Sequence, residues 1–394
     1  MRSVTSETEL AVPAKALSAY LHDHADACVD FLCRLVRAES PSTDPGAQQE
    51  VQRLMAEALA DLDFAVTRLP GEETGGAVYA RPADRTQGQP CQLLLGHGDT
   101  VWDHGTLKKM PIVQDGNQLR GPGVFDMKAG LANIMFALRT LEALDLSPSV
   151  TPLLLVTSDE EIGSPESRRH VQRLAQVAER VYVLEPALGL DGKIKTARKG
   201  TGEMTLRVRP TAASGESDVV LELSALVQRL YELHNPERGV TINVGTIDGD
   251  QIDDETGTSY GQLVVDVRVP THEAADQLRV AIREIDAQTP GVTVEVEGGI
   301  ERPPLERTPR NRRLWRRAEM LGKRLGLDLE EGRAGGASDG NITSQYTATL
   351  DGLGAVGDGA HADHEHILID ETLERCALLA LLLMAPPLSD QEKS

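Results

Sequence analysis

The sequence predicts an α/β fold in which a mostly parallel sheet is interrupted by a smaller α+β domain. Strands alternate with helices through the first half of the chain, as in sheets that helices cover on both faces. From about Lys199 the order changes to strand, helix, strand, strand, helix, strand, which is typical of a two-layer sandwich. We therefore expect one domain built from 1–198 and 307–394, and an inserted domain from 199–306.

The elements of the first domain follow from the spacing of apolar residues. Helical spacing runs up to Pro41 and recurs in QQEVQRLMAEALADL. The next predicted elements are the β-rich runs FAVTRL, GAVYAR and QLLLGH, a helix from about Lys128 to Leu144, the buried strand TPLLLVTS, a helix from about Pro165, and the strand VYVLEP. After the insertion come the helices NRRLWRRAEMLGKRLGL and TLERCALLALLLM. In such sheets the chemistry gathers at the carboxyl ends of the strands.

Composition excludes several classes of partner. The chain has 394 residues, of which 40 are basic and 61 acidic, and its formal charge of -21 argues against non-specific binding to nucleic acid or anionic lipid. The four cysteines show no paired spacing, so we expect reduced thiols. The first residues lack a signal-peptide pattern, and no segment reaches eighteen apolar residues. We expect a cytoplasmic protein without a membrane partner.

Polar residues with metal-binding chemistry follow three of the predicted strands. LLLGHGDTV ends with His97 and Asp99, whose side chains can point the same way from extended backbone. LLVTSDEEIGS brings Glu160 and Glu161 to the end of the next strand, and VYVLEP ends in Glu185. Alone, each segment has an ordinary structural explanation, since an acidic run is commonly a solvated turn and a single histidine is commonly structural.

Two further segments complete the set. GPGVFDMKAG places Asp126 directly before a helix, where an aspartate is commonly an N-cap, and GDGAHADHEHI brings His361 after a glycine turn. Together the segments supply two imidazoles and, besides Asp99, four carboxylates, a set that suits two divalent cations about 3.5–4 Å apart. Bound dications would also explain the run of acids, because they keep crowded carboxylates ionised. Zinc suits mixed nitrogen and oxygen ligands, and cobalt or manganese could fit the same set.

These segments, with GGASDGN, resemble the motifs of the M20 family of di-zinc amidohydrolases, in particular its glutamate carboxypeptidase and acetylornithine deacetylase branches. The resemblance implies a di-zinc hydrolase domain with an inserted lid and dimerisation domain. The implied roles are these: His97 and Glu185 are terminal ligands of different ions, Asp126 bridges the ions, Glu161 binds beside His97, His361 completes the second site, Glu160 is the general base, and Asp99 holds the other nitrogen of His97.

The resemblance also implies residues on the substrate side. Arg302, Arg268, Lys193 and Ser338 resemble positions that meet the substrate, and an arginine at the substrate carboxylate would favour acidic substrates. For Lys193 and Arg302 a plain surface role is the alternative. The implied reaction cleaves an amide or peptide bond next to a free carboxylate, in an N-acyl amino acid or a C-terminal glutamate-type substrate.

The sequence departs from the family in the inserted domain. Ser214 stands where the family carries a histidine that stabilises the oxyanion, and an Asn-x-x-Pro string before VVDVRV is missing. Losing one oxyanion donor typically costs about 10²–10³ in turnover. A metal-dependent enzyme of a non-hydrolytic class, such as a lyase or an amide-forming catalyst, and a catalytically silent binding protein therefore stay open beside the hydrolase. A homodimer through the inserted domain is expected.

Overall fold

The chain forms two compact units. The computed structural model describes residues 11–86, 88–211, 218–252 and 259–388. The second unit consists of Ala197–Glu306 with Ala334–Ala337, and the first unit contains the remaining described residues. Two stretches expected in the first domain, 197–198 and Ala334–Ala337, group with the second unit instead. The catalytic and lid roles expected of the two domains stay predictions.

The first unit begins with three helices and then alternates strands with helices. In chain order its elements are α1 (Ala11–Asp23), α2 (Ala25–Arg37), α3 (Gln48–Ala60), β1 (Phe64–Leu69), β2 (Ala77–Pro82), β3 (Cys91–His97), β4 (Val113–Asp115), β5 (Gln118–Arg120), α4 (Ala129–Ala143), β6 (Thr151–Thr157), α5 (Arg168–Val177), β7 (Arg180–Val183) and β8 (Ile194–Arg198). A π-helical turn, Val124–Lys128, leads directly into α4. None of the four cysteines forms a disulfide.

The second unit is a two-layer α+β sandwich. Its elements are β9 (Gly200–Pro210), α6 (Val219–Glu232), β10 (Thr241–Ile252), β11 (Ser259–Val269), α7 (His272–Arg283) and β12 (Val292–Arg302). The strands form an antiparallel sheet in the order β10-β11-β9-β12. Alternate residues of β9, Met204, Leu206 and Val208, are buried against the helices, as period-two patterning requires. The element order agrees with the pattern that the sequence predicts for this region.

The chain then returns to the first unit. Its last elements are α8 (Pro309–Leu325), β13 (Glu331–Ala334), α9 (Asp339–Thr343), β14 (Ala348–Leu350), β15 (Gly357–Asp358), β16 (His366–Leu368) and α10 (Ile369–Met384). The short strands β15 and β16 join β5 and β4 in a four-stranded sheet that the sequence did not predict. This small sheet carries the turn that contains His361.

A six-stranded sheet forms the centre of the first unit, in the order β1-β2-β6-β3-β7-β14. Strands β6, β3, β7 and β14 are mutually parallel. Strand β2 pairs antiparallel with both of its neighbours, β6 and β1. Helices cover both faces: Leu94 packs in the cluster that includes α4 and α10, while Leu93 and Leu95 pack in the cluster that includes α5. This layering confirms the predicted α/β fold class. In the described part of the chain, no helix is long and apolar enough to cross a membrane.

Candidate metal centre

Three neighbouring parallel strands bring acidic and imidazole side chains to one edge of the sheet. Strand β3 ends at His97, β6 is followed by Glu160 and Glu161, and β7 is followed by Glu185. Because β6, β3 and β7 are adjacent and parallel, their carboxyl ends meet. His97, Glu160 and Glu185 are all buried, with exposures of 1%, 7% and 6%. The sheet topology thus explains why residues far apart in sequence converge.

One half of the centre surrounds the His97 imidazole. Its Nε2 lies 3.4 Å from Glu185 Oε1 and 3.5 Å from Asp126 Oδ1. Glu160 Oε2 is further away, at 4.0 Å. Asp126 comes from the turn before α4, where its backbone leaves helical geometry at φ -115° and ψ 100°. The turn therefore directs Asp126 into the cluster instead of capping the helix, which was the structural alternative.

The other half of the centre surrounds the His361 imidazole. Its Nε2 lies 3.0 Å from Glu161 Oε2 and 3.4 Å from Asp126 Oδ2. His361 adopts a left-handed backbone conformation with φ 62°, which histidine tolerates better than most residues. The two oxygens of Asp126 consequently face different imidazoles. These distances associate His97 with Glu185 and His361 with Glu161, whereas the family resemblance had suggested His97 beside Glu161.

The donors of the cluster fit a metal ion. Three buried atoms, His97 Nε2, Asp126 Oδ1 and Glu161 Oε1, make no hydrogen bond within the described residues. Two sets of donor atoms each lie within 4.8 Å of one another: His97 with Glu160 and Glu185, and His97 with Asp126 and Glu161. Buried polar atoms are normally hydrogen-bonded, so their convergence here favours a ligand that accepts both nitrogen and carboxylate donors.

Asp99 organises the residues around the cluster. It is fully buried, and its carboxylate accepts hydrogen bonds from the backbone N–H of Glu160 at 3.3 Å, from that of Glu161 at 3.2 Å, and from the Ser42 hydroxyl at 2.7 Å. His97 Nδ1 lies 3.4 Å from Asp99 Oδ1 and 3.0 Å from the Asp99 carbonyl oxygen. One side chain therefore fixes both the imidazole and the acidic turn after β6.

The charges of the cluster shift the pKa values of its members. Burial lowers the pKa of His97, but the Asp126, Asp99 and Glu185 carboxylates outweigh burial and hold it well above its ordinary value. The Asp126 and Glu161 carboxylates raise the pKa of His361 to about 10. Burial raises the pKa of Asp126, yet both imidazoles together lower it strongly. Without a metal ion, protonated imidazoles thus compensate the carboxylates.

Comparison with known families identifies the chain. The model of peptidase family M20/M25/M40 matches residues 93–385. The chain belongs to this family. The family resemblance inferred from the sequence motifs is confirmed, and M20 membership makes the chain a metallo-hydrolase that acts on amide or peptide bonds. The family is metal-dependent, which agrees with the donor set at the carboxyl edge of the sheet.

Individual M20 relatives cover nearly the whole chain. Carboxypeptidase G2 from Pseudomonas sp. (strain RS-16) is 26% identical over 379 residues, which cover 92% of this chain and 90% of the relative. Succinyl-diaminopimelate desuccinylase from Azoarcus sp. (strain BH72) is 26% identical over 364 residues, covering 86% and 92%. The structure of the aminopeptidase PepT from Bacillus cereus ATCC 10987 superposes with a TM-score of 0.72 at 18% identity, covering 91% and 98%, and supports the shared M20 fold.

The structure gives the predicted substrate residues of this M20 chain different surroundings. Ser338 is fully buried: its hydroxyl donates to Asp351 Oδ2 at 2.6 Å and accepts from the Gly340 N–H, so it caps α9, and its burial does not support a substrate contact. Lys193 Nζ forms an ion pair with Glu330 at 2.8 Å, in line with the surface alternative.

The two predicted arginines lie in one row of the second unit's sheet. Thr201 on β9 pairs with Arg268 on β11 and with Arg302 on β12. Arg268 is exposed and donates to the Gly335 carbonyl, whereas Arg302 is 8% exposed. Residues paired across antiparallel strands share a face, so the two guanidinium groups belong to one surface of the sheet. Ser214, which replaces the family's lid histidine, lies outside the described residues.

Two residues near the M20 centre carried no sequence signal. Lys195, on β8, is buried, and its Nζ lies 3.9 Å from Glu185 Oε2. Glu365, four residues after His361, is fully buried and accepts a hydrogen bond from the backbone N–H of Asp126. A lysine in a strand and a glutamate in a polar run are ordinary sequence features, and only the structure distinguishes these two.

Proposed function

We propose that the chain is a paired-zinc amidohydrolase that cleaves an amide or peptide bond next to a free carboxylate. The observation that carries this proposal is the position of Asp126, whose two oxygens lie 3.5 Å from His97 Nε2 and 3.4 Å from His361 Nε2. A carboxylate between two imidazole–carboxylate pairs is what a bridging ligand requires. Zinc is proposed from the mixed nitrogen and oxygen donors, and cobalt or manganese would fit them too.

We assign His97, Glu185 and Asp126 to one ion, and Glu161, His361 and Asp126 to the other. The short distances from His97 to Glu185 and from His361 to Glu161 support this assignment. It replaces the pairing suggested by resemblance, in which Glu161 bound beside His97. The terminal ligands of the first ion follow two adjacent strands, while His361 of the second is carried by a turn.

Glu160 is proposed as the general base. It is buried beside the proposed ligands, with Oε2 4.0 Å from His97 Nε2, and it would accept a proton from the attacking water and pass it to the leaving nitrogen. Bound dications would lower the pKa of a shared water and polarise the scissile carbonyl. Asp99 would hold the His97 tautomer through the contact at Nδ1, a role that orients metal-binding histidines.

The proposed substrate is an N-acyl amino acid or a peptide with a C-terminal glutamate-type residue. The arginine row of the second unit, Arg268 and Arg302, supports recognition of a carboxylate, because a guanidinium group binds carboxylates bidentately. Carboxypeptidase G2 and the desuccinylase, relatives at 26% identity, carry names of the same reaction class. Which acyl group and amino acid are preferred is a question for a substrate panel.

We further propose a homodimer through the second unit. Strand β10 is an edge strand, and it exposes Ile247 at 58%. Helix α6 exposes Val220 at 62% and Leu221 at 55%. Exposed apolar side chains beside an unpaired strand edge favour association. Light scattering should give twice the chain mass for the wild type, and the double variant Val220→Glu, Leu221→Glu should lower it to one chain. A wild-type monomer would contradict the proposal.

Adjacent variants at Glu160 and Glu161 test the catalytic assignment. Glu160→Gln should keep two ions per chain by elemental analysis and lower hydrolysis of the best N-acyl amino acid by about 10²–10⁴. Glu161→Gln should reduce the metal content to one ion per chain. Chelation should abolish hydrolysis, and zinc or cobalt should restore it. A wild-type chain that binds metal and hydrolyses no member of the panel would overturn the proposed reaction.

A further inference from the structure

A single buried carboxylate holds together the loops that present two of the proposed metal ligands. Glu365 is 0% exposed, and its Oε1 accepts hydrogen bonds from the backbone N–H groups of Phe125 at 2.9 Å and Asp126 at 3.0 Å. Its Oε2 accepts from the Gly123 N–H at 2.7 Å and the Trp102 indole N–H at 2.8 Å. Four donors around one carboxylate form an arrangement that an ionised side chain satisfies fully.

The backbone of Glu365 ties the same two loops. The N–H of Gly121 donates to the Glu365 carbonyl at 3.3 Å, and the N–H of Glu365 donates to the Ala362 carbonyl at 3.0 Å. Gly359, at φ 81°, closes the turn so tightly that a Cβ there would lie 2.9 Å from the Glu365 nitrogen. His361 lies within this turn, between Gly359 and Glu365. The carboxylate and the His361 imidazole therefore belong to one compact loop.

We propose that Glu365 is a positioning residue that sets the separation of Asp126 and His361 and thereby controls the affinity of the second metal position. The inference rests on the proposed paired-metal function. The two loops that Glu365 joins present Asp126 and His361, which both serve this position, and only Asp126 also serves the first. The first position keeps His97, the last residue of β3, and Glu185, which follows the adjacent strand β7.

Glutamine at position 365 would remove two of the four hydrogen bonds with little change in volume. A glutamine has one carbonyl oxygen and one NH₂ group, and the NH₂ group would face two N–H donors. Either the pair Phe125 and Asp126 or the pair Gly123 and Trp102 would lose its acceptor. Outer partners of metal ligands typically change metal affinity by about 10–100-fold when they are mutated.

The test compares zinc binding to the full-length wild type and Glu365→Gln, measured by elemental analysis across a series of chelator-buffered Zn²⁺ concentrations. We expect two ions in the wild type. In the variant we expect the affinity for one ion to change less than about threefold and the other ion to bind about 10–100-fold less tightly. Trp102→Phe, which removes one of the four donors and keeps a ring, should weaken only the second ion by about two- to tenfold.

A matched control separates positioning from plain stability. Glu222 is also 0% exposed, accepts hydrogen bonds from the backbone N–H groups of Gln288 and Thr289, and lies in the second unit. Glu222→Gln should lower the melting temperature and leave both zinc affinities unchanged. If Glu365→Gln does not fold, Trp102→Phe carries the test alone.

The outcomes distinguish the two proposals. A wild type with two ions and a Glu365→Gln variant that binds both with unchanged affinity overturns the positioning role only. Equal weakening of both ions, or weakening of the second ion in Glu222→Gln as well, also overturns it, because the effect would then be general destabilisation. A wild type that binds no zinc, cobalt or manganese overturns the proposed function and this role together.

Discussion

The six-stranded sheet buries charged side chains at both of its ends, and the two ends differ in how these charges are satisfied. At the end where β7 begins, the Arg180 guanidinium is fully buried. It donates to the Gln92 side-chain oxygen at 2.9 Å and to the backbone carbonyls of Ala385 and Pro386, both at 2.7 Å. The chain itself supplies these acceptors.

At the opposite end, charged side chains meet one another instead of neutral acceptors. His97 Nε2, Asp126 Oδ1 and Glu161 Oε1 are buried and make no hydrogen bond in the portion of the chain that the structure describes. Burying polar groups without partners costs free energy, so a structural role alone does not explain this end. The contrast teaches that a buried charge with neutral acceptors from the chain is structural, whereas convergent imidazole and carboxylate groups with atoms that make no hydrogen bond favour a ligand.

The sharpest way to break this comparison is to neutralise Asp126, the carboxylate between the two imidazoles. Asp126→Asn should weaken metal binding by more than the 10–100-fold typical of outer partners and lower hydrolysis at least as much, because both ions share this residue. In the wild type, free zinc at 100 times its Kd should raise the free energy of unfolding by about 2.7 kcal/mol per site, and the variant should lose this gain. Melting curves at a series of zinc concentrations measure this stabilisation. If zinc stabilised Asp126→Asn as much as the wild type, Asp126 would not be the bridging ligand.

The pH dependence of metal binding sharpens the comparison further. The pKa of His361 is about 10 without metal, because Asp126 and Glu161 stabilise the imidazolium. A pKa raised in this way means that the proton is bound below pH 10, so a metal ion must displace it. Affinity at this position should therefore fall about tenfold per pH unit for each displaced proton as the pH decreases from 9 to 6. Calorimetry of zinc binding in buffers of different ionisation enthalpy should detect proton release. If no proton were released at pH 7, the assignment of His361 as a metal ligand would be contradicted.

Much of this end of the sheet could be predicted from the sequence. Strands buried on both faces are continuous apolar runs, so β3 and β6 were visible, and the polar residues after them marked the carboxyl edge. The turn after β6 was harder. Glu160 and Glu161 lie in a turn, and Glu161 lies beside His361, whereas the resemblance implied a place beside His97. The association of ligands in pairs needed distances that no sequence pattern contains.

The supporting residues could not be predicted, for physical reasons. Strands β5 and β16 have three residues each, too few for a period-two pattern to be recognised. Glu365 lies in the polar run HADHEH, which indicates a solvated loop, yet it is fully buried because backbone donors 239–242 positions away satisfy it. Burial of this kind depends on long-range contacts alone.

A complementary prediction concerns Arg180, at the end of the sheet where β7 begins. Arg180→Met should leave the Gln92 oxygen and the Ala385 carbonyl short of a donor, at about 1–3 kcal/mol for each acceptor, while zinc binding stays unchanged. Urea unfolding measures the loss. The matched control is Arg53→Met, whose exposed ion pairs with Glu50 and Glu57 should contribute at most about 1 kcal/mol. If Arg180→Met reduced zinc affinity, the two ends of the sheet would not be independent, and the structural role of Arg180 would be contradicted.

The smallest effect is expected at Glu166, a half-buried carboxylate that accepts hydrogen bonds from other described residues. It accepts hydrogen bonds from the backbone N–H groups of Glu72, Glu73 and Thr74 and from the Thr74 hydroxyl. Burial raises its pKa, but these bonds outweigh burial and lower the pKa from 4.5 to about 2. Glu166→Gln should therefore cost about 1 kcal/mol at pH 7.

Since the pKa of Glu166 is depressed, its stabilisation is complete above pH 4.5 and is lost as the pH falls toward 2. The difference in unfolding free energy between wild type and Glu166→Gln should close across this interval, and it should be the same with and without zinc, because Glu166 is not one of the proposed ligands. Thermal unfolding from pH 7 to pH 2 measures both. A difference that changes with zinc would mean that carboxylates with internal partners also depend on the metal, and burial without partners would then no longer identify the site.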